Sequence, residues 1–146
     1  MSLLKWAQKQ GCQWDAWVLR NAAQAGHLHV LKWGMTKKWN IPDVWLFHYA
    51  ISGGHLHILR WIWENNYPRR EERICVEASS EGHIEILKWA KKMGLKWHTG
   101  LCLAAVMRGH LEILKWLREN NCPWDKEDCL SFSSDLTIRK WIIEQT

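Results

Sequence analysis

Gly-His dipeptides stand at Gly26-His27, Gly54-His55, Gly82-His83 and Gly109-His110, spaced 28, 28 and 27 residues apart. Self-similarity at a fixed period is the signature of small stacked units, and it limits this chain more than any other feature. Each dipeptide opens the same phrase: Leu28-His29-Val30-Leu31-Lys32-Trp33, Leu56-His57-Ile58-Leu59-Arg60-Trp61, Ile84-Glu85-Ile86-Leu87-Lys88-Trp89 and Leu111-Glu112-Ile113-Leu114-Lys115-Trp116. Partial copies, Leu3-Leu4-Lys5-Trp6 and Leu136-Thr137-Ile138-Arg139-Lys140-Trp141, stand at the two ends. Six of the thirteen tryptophans therefore fall in one column: Trp6, Trp33, Trp61, Trp89, Trp116 and Trp141.

On a helix turning about 100° per residue, Leu111, Ile113, Leu114, Trp116 and Leu117 sweep an apolar arc of about 220°. A stripe that wide needs cover on two sides, as it has between a previous and a next copy. The indole column is expected to fill those gaps, with an exposed aromatic ladder for bases or a Pro-rich ligand as the alternative. Before each Gly lies a second set with helical spacing: Leu19, Ala22, Ala23; Phe47, Ala50, Ile51; Cys75, Ala78, Ser79; Cys102, Ala105, Val106. Its small residues let two helices approach closely, and the Gly ends the helix in the left-handed conformation that only Gly adopts cheaply. The repeat is thus helix, tight turn, helix. Asp125 and Asp15 are placed as N-caps, with Trp124 and Trp14 packing on the first turn that follows. The repeats read as a partial 1–14, then 15–41, 42–69, 70–97, 98–124 and a shortened cap 125–146, together one array over 1–146.

These residues resemble ankyrin repeats. The stretches Ala22-Ala23-Gln24-Ala25-Gly26-His27-Leu28-His29-Val30-Leu31 and Ala104-Ala105-Val106-Met107-Arg108-Gly109-His110-Leu111-Glu112-Ile113-Leu114 are similar to the family's A-A-x-x-G-H-x-x-V-V core, in which an inner helix turns at Gly-His into an outer helix. The nearest likeness is to a divergent, Trp-rich, short-repeat form found in giant DNA viruses and protists. The resemblance implies an all-α solenoid of helical hairpins, and a protein-binding adaptor or scaffold that engages host proteins where the source is viral. It also implies that Gly26, His27, Gly54, His55, Gly82, His83, Gly109 and His110 are structural, the histidines hydrogen-bonding in their turns. The repeats are shorter than the family's roughly 33 residues and lack its T-P-L-H opening, so the β-hairpin fingers are expected to be reduced or absent.

Several functions are poorly served by this sequence. The longest stretch without Asp, Glu, Lys or Arg runs from Val44 to Leu59 and contains Gly53-Gly54 and three histidines, short of the roughly 20 apolar residues of a membrane span. The opening residues lack the apolar run of a signal peptide, and the expectation is an intracellular, cytoplasmic, monomeric protein without membrane attachment. Five cysteines, an odd number with no C-x-x-C pair, read as free thiols in a core. There is no G-x-S-x-G, no phosphate-binding glycine loop and no H-E-x-x-H, so neither an enzyme nor a cofactor is expected. His27/His29 and His55/His57 are expected not to bind metal, because residues two apart on a helix point about 200° away from each other.

Columns that change between repeats carry more information on recognition, because packing asks for the same residue each time. The candidate partner-binding positions are Asn21, Gln24, Tyr49, Ser52, Glu77, Glu81, Met107 and Arg108 on inner helices, together with Trp63. Trp63 stands in a column otherwise filled by Gln8, Met35, Lys91 and Arg118, and is expected to be more exposed than the other tryptophans. The rival is nucleic acid or another polyanion bound along the column Lys5, Lys32, Arg60, Lys88, Lys115 and Lys140. Self-association in a structural role is the third possibility.

Overall fold

The computed structural model describes residues 6, 9–11, 16–36, 43–67 and 70–145. All its regular elements are helices, and no strand occurs among the described residues. The chain divides into two compact bodies, Met1–Arg69 and Arg70–Thr146. The N-terminal body holds α1 (Ala16–Gln24), α2 (Leu28–Thr36), α3 (Asp43–Ser52) and α4 (Leu56–Glu64). The C-terminal body holds α5 (Glu71–Glu81), α6 (Ile84–Lys92), α7 (Gly100–Met107), α8 (Leu111–Glu119), α9 (Lys126–Phe132) and α10 (Leu136–Glu144). Residues 3–5, Cys12, Trp14, the expected cap Asp15, and the loop positions 41–42 and 68–69 lie outside the described residues.

Within each body, odd-numbered inner helices pack on one another and even-numbered outer helices pack on their own hairpin mates. In the first, α1 lies against α2 and α3, and α3 against α4; in the second, α5 lies against α6 and α7, α7 against α8 and α9, and α9 against α10. The small-residue columns are what permit this. Leu19, Ala22, Ala23, Phe47, Ala50, Ile51, Cys75, Ala78, Ser79, Cys102, Ala105 and Val106 are all buried, as the helical spacing predicts. Ser79 is tolerated in that core because its hydroxyl donates to the Leu101 carbonyl of the neighbouring inner helix at 2.7 Å.

The Gly-His turns close in one way. Gly26, Gly54, Gly82 and Gly109 have φ between 71 and 85°, and the N–H of the following histidine returns to the carbonyl five residues back: Ala22, Ala50, Ala78 and Ala105, at 2.8 to 2.9 Å. This double-bonded ending satisfies carbonyls that a helix terminus otherwise leaves open. The outer helices end similarly, with Asn66, Gly94 and Asn121 in the left-handed region and the N–H groups of Tyr67, Leu95 and Cys122 returning to Ile62, Ala90 and Leu117.

The indole column is covered to different degrees. Trp33 and Trp89 are buried, Trp61, Trp116 and Trp141 half-buried, and Trp6 exposed. In the C-terminal body the loop tryptophans complete a repeated stack. Lys91 Nζ lies 5.3 Å from the Trp97 ring, which meets Trp116 at 5.5 Å. A repeat later, the Arg118 guanidinium lies 4.7 Å from the Trp124 ring, which meets Trp141 at 6.3 Å. Asp125 caps α9 as expected, accepting from the Asp128 N–H at 3.0 Å.

Candidate functional site

The histidines depart from expectation in two ways. The His55 imidazole does not serve its own turn: its Nε2 lies 2.9 Å from the carbonyl oxygen of Gln24, at the end of the preceding inner helix. His110 does the same to Ser80 at 2.9 Å. His57 adds a second tie, its Nε2 lying 3.1 Å from the Gly26 carbonyl. The expectation that His55 and His57 diverge by about 200° also fails, since their rings are 5.7 Å apart, as are those of His27 and His29. His55 stands before its helix, with φ −91° and ψ 76°, so helical phase does not apply to it. Both Nε2 atoms of that pair are held against carbonyls. Among the described residues no group of three His, Cys, Asp or Glu side chains is placed to hold a metal ion.

The histidines explain why the adjoining residues are glycine. A Cβ on Gly26 would stand 2.8 Å from the His55 ring, and one on Gly82 would stand 3.0 Å from that of His110. Gly109 is different: a Cβ there meets nothing within 4 Å. The next turn has Ser134-Asp135 in place of Gly-His, and Asp135 spends its side chain locally, accepting from the N–H groups of Thr137 and Ile138 at 2.7 and 3.2 Å.

Four described cysteines, Cys75, Cys102, Cys122 and Cys129, are buried free thiols. Burial pushes Cys75 and Cys129 up to about 11 from an ordinary 9.0, and Cys102 is raised further by donating to Cys122 and by its own burial. Cys122 goes the other way, lowered by accepting from Cys102 and by the Arg118 guanidinium, while the three raised thiols are inert packing groups at neutral pH.

The candidate binding residues fall into separate places. Asn21, Gln24, Tyr49 and Ser52 lie on α1 and α3, the first two exposed and the others half-buried. Glu77, Glu81, Met107 and Arg108 lie along α5 and at the end of α7; Glu77 pairs with Arg73 at 2.9 Å, and Arg108 Nε donates to Ser80 Oγ at 3.2 Å. Trp63 is on the outer helix α4 and half-buried, so the expectation that it is the most exposed indole does not hold. Trp17 and Trp45 are more open, at 66% and 48% exposure. Trp63 also occupies the column of Lys91 and Arg118, while Arg69, six residues on, occupies that of Trp97 and Trp124. Cation and indole have exchanged positions in the sequence there, which favours a packing role for Trp63.

Sequence reasoning passed over Trp17, Arg20, Trp45 and His48. The Arg20 guanidinium lies 5.9 Å from the Trp45 ring and 6.0 Å from that of Tyr49. His48 meets both aromatics, at 6.0 and 5.3 Å. The signal for these positions was helical phase: Trp17 and Arg20 lie off the arc of Leu19, Ala22 and Ala23.

The basic column is uneven. Lys88 and Lys115 pair with Glu85 and Glu112 at 2.7 and 2.9 Å. Lys32 and Arg60 are exposed, and their repeats carry His29 and His57 where the others have the glutamates. No described helix is long and apolar enough to cross a membrane. No protein-family model matches the chain, and no curated protein matches it.

Proposed function

We propose that this chain is an ankyrin-type interaction module: a solenoid of helical hairpins, without catalytic activity, that holds a protein partner on the exposed positions of its inner helices. The observation that supports this reading is the contrast between columns. Inner-helix positions turned to the core hold small or apolar residues, whereas two further columns, exposed at Asn21, Gln24 and Met107 and half-buried at Tyr49, Ser52, Glu77, Ser80 and Ala104, mix polar, charged and aromatic chemistry. A change of chemical class from repeat to repeat, beyond the change of size seen in the core columns, is what recognition of a non-repetitive surface asks for. A reducing, intracellular setting suits the free thiols.

The polyanion reading loses ground where Lys88 and Lys115 already have carboxylate partners. Affinity capture separates the two. Partners held by the intact protein are expected to remain between about 50 and 200 mM salt, where a contact made mainly to phosphates weakens by orders of magnitude. They are expected to be lost from a Tyr49→Ala, Met107→Ala variant and kept by Lys32→Ala, Arg60→Ala. The reverse pattern places recognition on the basic column and overturns the proposal.

A further inference from the structure

The charge of this protein sits in one body. Met1–Arg69 carries eight Lys and Arg against three Asp and Glu, and Arg70–Thr146 carries twelve against twelve, so the entire excess of +5 belongs to the first. That body also presents the two most exposed inner-helix indoles. Trp17 and Trp45 share one column 28 residues apart, which continues as Arg73, Gly100 and Glu127; no packing rule of the repeat asks for tryptophan there. Arg20 follows Trp17 by three residues on α1, its guanidinium near the faces of Trp45 and Tyr49. Its Nε is buried without a hydrogen-bond partner, and it forms no ion pair among the described residues. A cation held over aromatic faces, with no carboxylate partner among the described residues, is poised for one from elsewhere.

We infer that the α1–α3 face of the N-terminal body docks an acidic peptide segment of a partner protein, whose carboxylates meet Arg20 and whose aromatic or aliphatic side chains seat on Trp17 and Trp45. The inference rests on the protein-binding reading and names the partner's chemistry. A peptide fits this face better than a single-stranded nucleic acid. A phosphate backbone tracks a line of cations, whereas among the described residues α1 and α3 offer one, Arg20, with His48 beside it. The other described cations of this body on regular helices, Lys32 and Arg60, belong to the outer helices α2 and α4. The overall positive charge draws an acidic segment in from a distance, and the indoles supply the large, rigid contact area that anchors it.

The test is selection of a random peptide library on the full chain, followed by fluorescence anisotropy with the best peptide. Net-negative peptides bearing aromatic or aliphatic residues are expected to enrich. Arg20→Gln and Trp17→Ala are each expected to weaken that peptide at least tenfold; Leu136→Ala, at an exposed position of the other body, is expected to leave it unchanged. Trp17 is mostly solvent-facing, so its variant keeps the fold, which circular dichroism verifies, and Trp45→Phe is expected to retain most of the affinity. A Lys-for-Glu version of the peptide is expected not to bind, nor an oligo-dT of equal charge to compete. Enrichment of neutral or basic peptides, or of acidic ones indifferent to Arg20→Gln and Trp17→Ala, overturns this site while leaving the protein-binding reading in place. Binding of oligo-dT with no peptide enriched overturns both.

Discussion

The histidine of a Gly-His pair reads from the sequence as a turn residue, and at His55 and His110 it is a tie between repeats. His55 and His110 reach 31 and 30 residues back, to the carbonyls of Gln24 and Ser80. Spacing revealed that a histidine was wanted at that column but not which carbonyl it served, because the partner lies on another helix. Gly26 and Gly82 carry two demands at once, a left-handed φ and room for the next imidazole. Gly26→Ala incurs both, a backbone cost of about 1–2 kcal/mol and a Cβ 2.8 Å from the His55 ring. Gly109→Ala incurs only the first. Urea denaturation is expected to show Gly26→Ala as the more destabilising by about 1 kcal/mol or more, and the difference should shrink in a His55→Ala background. The thiols give a second expectation at this scale. Cys75 and Cys129 titrate near 11 folded against 9.0 unfolded, so between those values the unfolded chain releases protons that the folded one keeps. Their contribution is fully present below pH 9 and is lost as pH rises toward 11. Stability of the wild type should fall more steeply over that window than that of a Cys75→Ala, Cys129→Ala variant, measured by chemical denaturation at each pH.

At the scale of helices, the sequence was informative about type and order and less so about which side faced water. All ten described helices match hairpin halves read from the periodicity, since a Gly-His punctuation mark and the buried small columns leave little freedom. Exposure of the aromatics was harder to read. Tryptophan is apolar enough to be assigned to the core by default, yet Trp17 sits on the outward arc of α1, while Trp63, set apart by its column, is half covered. Trp124 is expected from the sequence to pack on the first turn that follows it; its ring contact runs to Trp141 on an outer helix, as that of Trp97 runs to Trp116. Caps followed local rules: Asp125 could be read directly, and Asp135 replaces a histidine tie with two backbone bonds of its own. Asp135→Ala is expected to cost about 1 kcal/mol, and Asp135→Asn much less, as thermal melts of the two variants would record.

For the whole molecule, the net charge of +5 says little until it is divided. Eight cations against three anions in Met1–Arg69 repel one another, while the other body is balanced. Salt screens such repulsion over about 10 Å at 0.1 M. Hydrogen exchange at about 20 and 300 mM salt should therefore show protection rising for the amides of α1 and α3, with those of α5 and α7 little changed; equal gains in both would contradict a charge-based cause. A binding face could be narrowed from the sequence to inner-helix columns, but its centre could not. The Arg20, Trp45 and Tyr49 cluster spans two helices, and neighbours on different repeats become neighbours only once the stacking is known.

The backward reach of His55 and His110 has a temporal side. A ribosome delivers a hairpin some thirty residues before the imidazole that will fasten its turn. Each such hairpin leaves the exit tunnel with an open carbonyl and closes only when its successor arrives. Maturation along this chain should accordingly lag synthesis by one repeat, with the newest turn always the loosest.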